Sequence, residues 1–176
     1  MKMRKAFTLM EVNLAIMIMA GGVLSVLGLY SLGYRENRQS RDDVASAAYA
    51  DAVISPLVMA LSATNLKWST FTSIKSVPSH EKGWGDYIDS RGKVSSNPES
   101  KAKAAFDAVM GRLQPEGLSK WPSNASGGLK AGLVIMHDSE RSPIVKIGFR
   151  ATKNPAELLA MPLYYTEVRF QGVIDE

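Results

Sequence analysis

Few residues in this chain have the type and spacing to do chemistry. His80 and His137 are the only histidines among 176 residues, and there is no cysteine. Neither histidine belongs to a paired spacing that would ligate a metal. His137, Asp138 and Ser139 are consecutive, whereas a nucleophilic triad is built from groups that converge in space. They read as polar residues of a turn. Asp138 and Glu140 could offer oxygens to calcium, but the patterned loop of an EF-hand is absent. The glycine pairs at 21–22 and 127–128 lack a phosphate-loop context. No catalytic, cofactor-binding or metal-binding residue is assigned, and the chain is not expected to be an enzyme. The one reactive group in an unusual setting is Glu11. It heads a run of 23 residues, Val12 to Tyr34, that carries no charge.

A helix over that run rises ~1.5 Å per residue and reaches roughly 35 Å, against a hydrocarbon core of about 30 Å. It is long enough to span a bilayer with some tilt. A cleaved secretory signal has a shorter apolar core and a small-x-small site after it. Lys2, Arg4 and Lys5 precede the run, and Arg35, Arg38 and Arg41 follow it. The positive-inside count is therefore tied, and only the shortness of the leader favours a cytoplasmic N-terminus. Gly21, Gly22, Gly28 and Gly33, with Ala15, Ala20 and Ser25, are small enough to let helices approach closely in lipid. They are also common in membrane helices that do not associate. An ionised carboxylate entering hydrocarbon costs several kcal/mol unless it is paired or stays at the interface. Glu11 has no basic residue one turn away in its own helix. Either it snorkels at the membrane surface, or a positive group reaches it from elsewhere.

Lys5-Ala6-Phe7-Thr8-Leu9-Met10-Glu11-Val12, behind a basic leader of six residues and ahead of the long apolar run, resembles the N-terminus of type IV prepilins. That class includes type IV pilins and the pseudopilins of type II secretion. The resemblance covers about residues 1–34. It implies cleavage between Ala6 and Phe7 by a membrane-embedded prepilin peptidase and N-methylation of Phe7. It also implies an assembly role for Glu11, pairing with the N-terminal amine of a neighbouring subunit. The implied partners are the peptidase, other pilin or pseudopilin subunits, and the inner membrane before assembly. The soluble part would then lie in the periplasm or outside the cell, and later in an envelope filament. Ala6 stands where Gly is usual, Asn13 replaces an apolar residue, and Gly28 stands where major pilins often have Pro. These departures lean toward a minor pilin or pseudopilin. The Glu11-Val12-Asn13-Leu14-Ala15 start and the Leu27-to-Gly33 exit are also similar to pilus-modification (V-type) minor prepilins and to cassette prepilins of Verrucomicrobia.

The elements that must carry this segment follow from composition and period. Apolar residues make up 45% and charged residues 22%, which suits one domain with a core plus an anchor. The net charge of +4 includes three basic residues of the leader; without them 18 Lys and Arg face 17 Asp and Glu, a balance of +1. Basic residues are scattered among acids, so a nucleic-acid partner is not expected. The expected divisions are a cleaved leader over 1–6, a transmembrane and assembly helix over 7–34, its amphipathic continuation over 35–61, and a soluble α+β domain over 62–176. Ala47, Ala50, Ile54, Leu57 and Leu61 predict one buried stripe. Pro56 predicts a kink or a helix restart, or an end at Ser55.

Trp68–Ile74 has strand-like composition. Residues 76–96 read as a loop, with Gly83-Trp84-Gly85-Asp86-Tyr87 covering the edge of a core or making a contact. Asn97-Pro98 opens a helix with Ala102, Ala105, Phe106, Val109 and Leu113 inside, ending at Gln114-Pro115. Residues 131–136 and 144–151 predict a hairpin, 156–160 a helical turn, and 163–171 a third strand in which Tyr165, Val168 and Phe170 alternate with polar neighbours. The sum is an α+β fold, with a long N-terminal helix packed on a small antiparallel sheet, which is also what the resemblance implies. The expected function is that of a filament subunit. The alternative is a binding module at a filament tip that contacts DNA, a surface or a secreted protein.

Overall fold

The computed structural model describes residues 8–74, 83–113, 120–122, 127–137 and 142–175. Helix α1 runs from Leu9 to Leu61 and stays helical past Pro56, so neither an end at Ser55 nor a restart occurs. It also stays helical through Gly28, where no proline interrupts the backbone ladder. The described residues up to Asp43 form one compact unit, and those from Val44 form a second.

The second unit is α+β. Strands β1 (Lys130–His137), β2 (Ile144–Thr152) and β3 (Tyr164–Arg169) form an antiparallel sheet in the order β1-β2-β3. Side chains alternate between its faces, as the pleat requires. On one face Leu133 lies opposite Phe149, Ile135 opposite Ile147, and Val145 opposite Val168. These residues join Tyr49, Val53, Leu57 and Leu61 of α1 in the main core, together with Phe106 and Val109 from helix α3 (Pro98–Leu113). Pro98 starts α3, where its missing N–H breaks no helical bond. Tyr49 meets Trp121 and Phe149 edge-on, with ring centroids 6.0 and 5.3 Å apart. Its hydroxyl donates to Glu99 Oε1 at 3.3 Å, and burial followed by the Glu99 charge pushes its phenol well above the usual range. Glu99 also pairs with Lys130 at 3.2 Å. That pair is partly exposed and adds at most ~1 kcal/mol, less than burial of one large core side chain.

The other face of the sheet is covered by two short 3₁₀ segments, Gly83–Tyr87 and Pro155–Ala160. Tyr87, Val134 and Leu158 form a small second core there, against which Trp84 packs. Trp84 lies over Gly132 and Gly148. A Cβ at Gly132 would come within 2.9 Å of its ring and of Leu158, so glycine keeps this floor flat. The Arg150 guanidinium lies 4.8 Å from the ring centroid. Gly83-Trp84-Gly85-Asp86-Tyr87 therefore covers a core.

Three expectations are corrected. Trp68–Ser73 is helix α2, not a strand. The three-residue spacing of Trp68 and Phe71 puts both on one side, stacked 5.8 Å apart, and Phe170 packs against each. Asp175 accepts hydrogen bonds from Ser69 N, at 2.9 Å, and from Ser69 Oγ. Tertiary partners thus override the β propensity of this segment. The buried stripe of α1 is rotated: Ala47 is exposed, while Tyr49, Val53 and Ala60 are buried beside Ala50, Leu57 and Leu61. In β3 it is Tyr164, not Tyr165, that shares the inner face with Val168, and its hydroxyl lies 2.7 Å from Ser46 Oγ. The hairpin tip at 138–141, the start of the loop at 76–82 and the helix-ending Gln114–Gly117 lie outside the described residues.

Candidate functional site

The segment with most to explain is the start of α1. Thr8 precedes the first helical residue, and its carbonyl accepts the first helical bond from Val12 N at 3.2 Å. Its Oγ1 accepts from Glu11 N at 3.3 Å. In return Glu11 Oε2 accepts from Thr8 N at 2.8 Å and from Thr8 Oγ1 at 3.0 Å. This reciprocal pattern is a capping box, which satisfies backbone donors that a helix start leaves open. The carboxylate also lies near the positive end of the helix dipole. Glu11 therefore has a local partner. The signal was present in the sequence as the Thr8-x-x-Glu11 spacing, and attention to charge alone passes over Thr8.

The capping uses one carboxylate oxygen. Among the described residues, no hydrogen bond or ion pair reaches Oε1. One half of the carboxylate is committed to its own helix, and the other meets no donor among the described residues. Ala6 and Phe7, the residues of the implied cleavage and methylation, lie outside the described residues.

From Val12 to Tyr34 the helix buries nothing. Leu14 is 60% exposed, Leu24 69% and Leu29 70%, within an uncharged stretch that is exposed throughout. This is the one helix among the described residues that is long and apolar enough to cross a membrane. A continuous apolar surface of this size calls for lipid or other apolar helices around it. Its polar side chains are partly satisfied from within: Ser25 Oγ donates to Gly21 O at 2.8 Å, and Ser31 Oγ to Gly28 O at 2.9 Å. A Cβ placed on Gly21, Gly22, Gly28 or Gly33 would meet nothing within 4 Å. The chain's own packing thus sets no need for glycine at these positions.

Among its described residues, the second unit brings no comparable set of groups together. His137 is buried at the inner face of β1, edge-on to Phe71 with centroids 5.5 Å apart. His80, Asp138, Ser139 and Glu140 lie outside the described residues. Among the described residues, no three His, Cys, Asp or Glu side chains are grouped as metal ligands. Set against family models, curated proteins and solved structures, the chain matches none.

Proposed function

We propose that this chain is a minor pilin or pseudopilin subunit that matures by loss of residues 1–6 and assembles through α1 into a filament of the type IV pilus or type II secretion kind. The observation that carries the reading is Glu11. It stands at the head of the charge-free, fully exposed apolar stretch of α1, with one oxygen capping the helix and the other without a partner among the described residues. An anchor alone has no need of the second oxygen. A helix that leaves lipid for a bundle of like helices can use it to accept an N-terminal amine, since a desolvated carboxylate is strongly biased toward a charged partner. Cleavage after Ala6 would create such an amine on Phe7, next to the capping box, and N-methylation keeps its charge. The prepilin peptidase and other prepilin-type subunits are the partners this requires. The inner membrane, with the N-terminus in the cytoplasm, is where the helix resides before assembly. No enzymatic role is assigned to the second unit.

Capping and charge pairing are separable by substitution. Glu11→Gln retains an oxygen that can accept from Thr8 but removes the charge, whereas Thr8→Ala removes the cap and keeps the charge. Each variant is expressed in the cell of origin, and sheared filaments are compared with membranes by immunoblot. Glu11→Gln should remain in membranes and fall at least tenfold in filaments, while Thr8→Ala should be incorporated within about twofold of the parent. Normal incorporation of Glu11→Gln defeats the pairing mechanism. Intact-mass measurement of the extracted protein should show a chain beginning at methylated Phe7, and a terminus at Met1 defeats the proposed maturation.

A further inference from the structure

A second feature of α1 lies about one bilayer thickness from Glu11. Tyr30 and Tyr34 are 75% and 65% exposed, and with Gly33 and Asn37 they line a shallow notch in the helix surface. At about 100° per residue, Arg41 falls within about 30° of the centre of this notch and Arg38 about 90° to one side, while Glu36 falls about 110° away on the other side and Asp42 and Asp43 each about 130° away. The rise from Glu11 to Tyr30 is ~28 Å and to Tyr34 ~34 Å, which brackets a hydrocarbon thickness of about 30 Å. Tyrosine favours the level where hydrocarbon meets headgroups, because its ring is apolar and its hydroxyl polar.

We infer that Tyr30, Tyr34 and Asn37, with Arg38 and Arg41, form a seat for the phosphate of an anionic phospholipid headgroup in the leaflet opposite Glu11. Two phenol hydroxyls and a carboxamide supply hydrogen-bond donors. The arginines supply the complementary charge, and Gly33 leaves the space between the rings open. The seat sets the depth of the helix and holds Glu11 at the near interface, where its second oxygen stays hydrated. Withdrawal of the helix toward the Glu11 side breaks these headgroup contacts, and withdrawal toward the Arg41 side draws Glu11 into hydrocarbon. The seat thus fixes the state from which the helix must be extracted. The inference rests on the helix spanning a bilayer and is independent of whether Glu11 pairs with an amine.

The absence of cysteine makes spin labelling direct. The full chain is placed in vesicles of phosphatidylcholine and phosphatidylglycerol, with single labels at Leu14, Leu27, Leu32 and Gln39. Collision with oxygen and with a water-soluble nickel complex then gives depth. In the parent the change from lipid to water should fall between Leu32 and Gln39. Tyr30→Leu/Tyr34→Leu should move it by about one helical turn. Spin-labelled phosphatidylglycerol should be immobilised about fivefold more than phosphatidylcholine, and Arg38→Gln/Arg41→Gln should abolish that preference. An unmoved crossover in the tyrosine variant, or an unchanged lipid preference in the arginine variant, overturns the seat. Dipolar broadening of a label at Asn37 that persists on lipid dilution assigns the notch to a second copy's helix and also overturns it. Water access at Leu14 and Leu27 removes the spanning helix on which the seat depends, and leaves the amine-pairing test untouched.

Discussion

Tyr87→Phe removes a single oxygen from the second unit, yet it should unfold that unit well below the parent's midpoint. The hydroxyl donates to Leu133 O at 2.7 Å and accepts from Leu133 N at 2.8 Å, with both residues fully buried. Leu133 sits on β1, which among the described residues has β2 as its one strand neighbour. Tyr87 therefore supplies the bonds that a further strand would have made. Phenylalanine fills the same space but loses both hydrogen bonds to the buried Leu133 backbone, a change that costs about 1–3 kcal/mol for each buried polar group whose bond is not replaced. Allowing for some relaxation, a loss of about 2–4 kcal/mol is expected, or roughly 5–15 °C in Tm for a chain of this size. Thermal unfolding of the full chain in detergent, followed by circular dichroism, measures the shift. Amide exchange at Leu133 tests its cause, since that amide should lose protection before its neighbours do. A Tm within about 1 °C of the parent, with Leu133 still protected, refutes the reasoning. The same hydroxyl has an alkaline signature. Burial raises its pKa above that of a free phenol. Its contribution is complete below about pH 10, where an unfolded tyrosine titrates, and is lost as pH rises beyond that. The variant should show a shallower alkaline loss of stability than the parent.

Two further predictions concern the C-terminal segment. A Cβ at Gly172 would lie 1.9 Å from Leu66 O, so Gly172→Ala must displace the segment that bonds Trp68 N to Val173 O and Val173 N to Leu66 O. Denaturant unfolding should report a loss of about 1–3 kcal/mol, and a midpoint equal to the parent's refutes the close approach. The hydrogen bonds from Ser69 hold the Asp175 carboxyl below its ordinary range, so its stabilisation is present above about pH 4 and is lost as pH falls. Asp175→Asn should flatten the acid limb of the stability curve, and an unchanged limb counts against the bond. If both changes release one latch, their combination should cost less than their sum.

The elements most legible in the sequence are those whose pattern is local. Residues 131–136 and 144–151 are apolar runs that pair as read, and Pro98 opens α3 where expected. The uncharged run after Glu11 is legible from length alone. Helix α2 was not, because six residues are too few to show a period and their cap is Asp175, 106 positions away. The rotation of the α1 stripe was missed because Tyr49 and Ala47 are both plausible inward residues, and the aromatic partners of Tyr49 come from distant segments. At the start of α1 the importance of Glu11 was legible and the box with Thr8 was written in the spacing. The availability of one carboxylate oxygen is a matter of side-chain geometry that no sequence pattern carries.

The open space around Gly21, Gly22, Gly28 and Gly33 has a bearing on mutational tolerance. Alanine at any of these positions would collide with nothing in the chain and would favour the helix by about 1 kcal/mol. The protein's own folding therefore offers no resistance to their loss. Any constraint there is imposed from outside, by the surrounding lipid or by another helix. A substitution survey scored by folding alone would find residues 9–34 permissive and the positions around Tyr49 strict. Where a survey scored in the living cell departs from that map, the difference traces the footprint of whatever surrounds the helix.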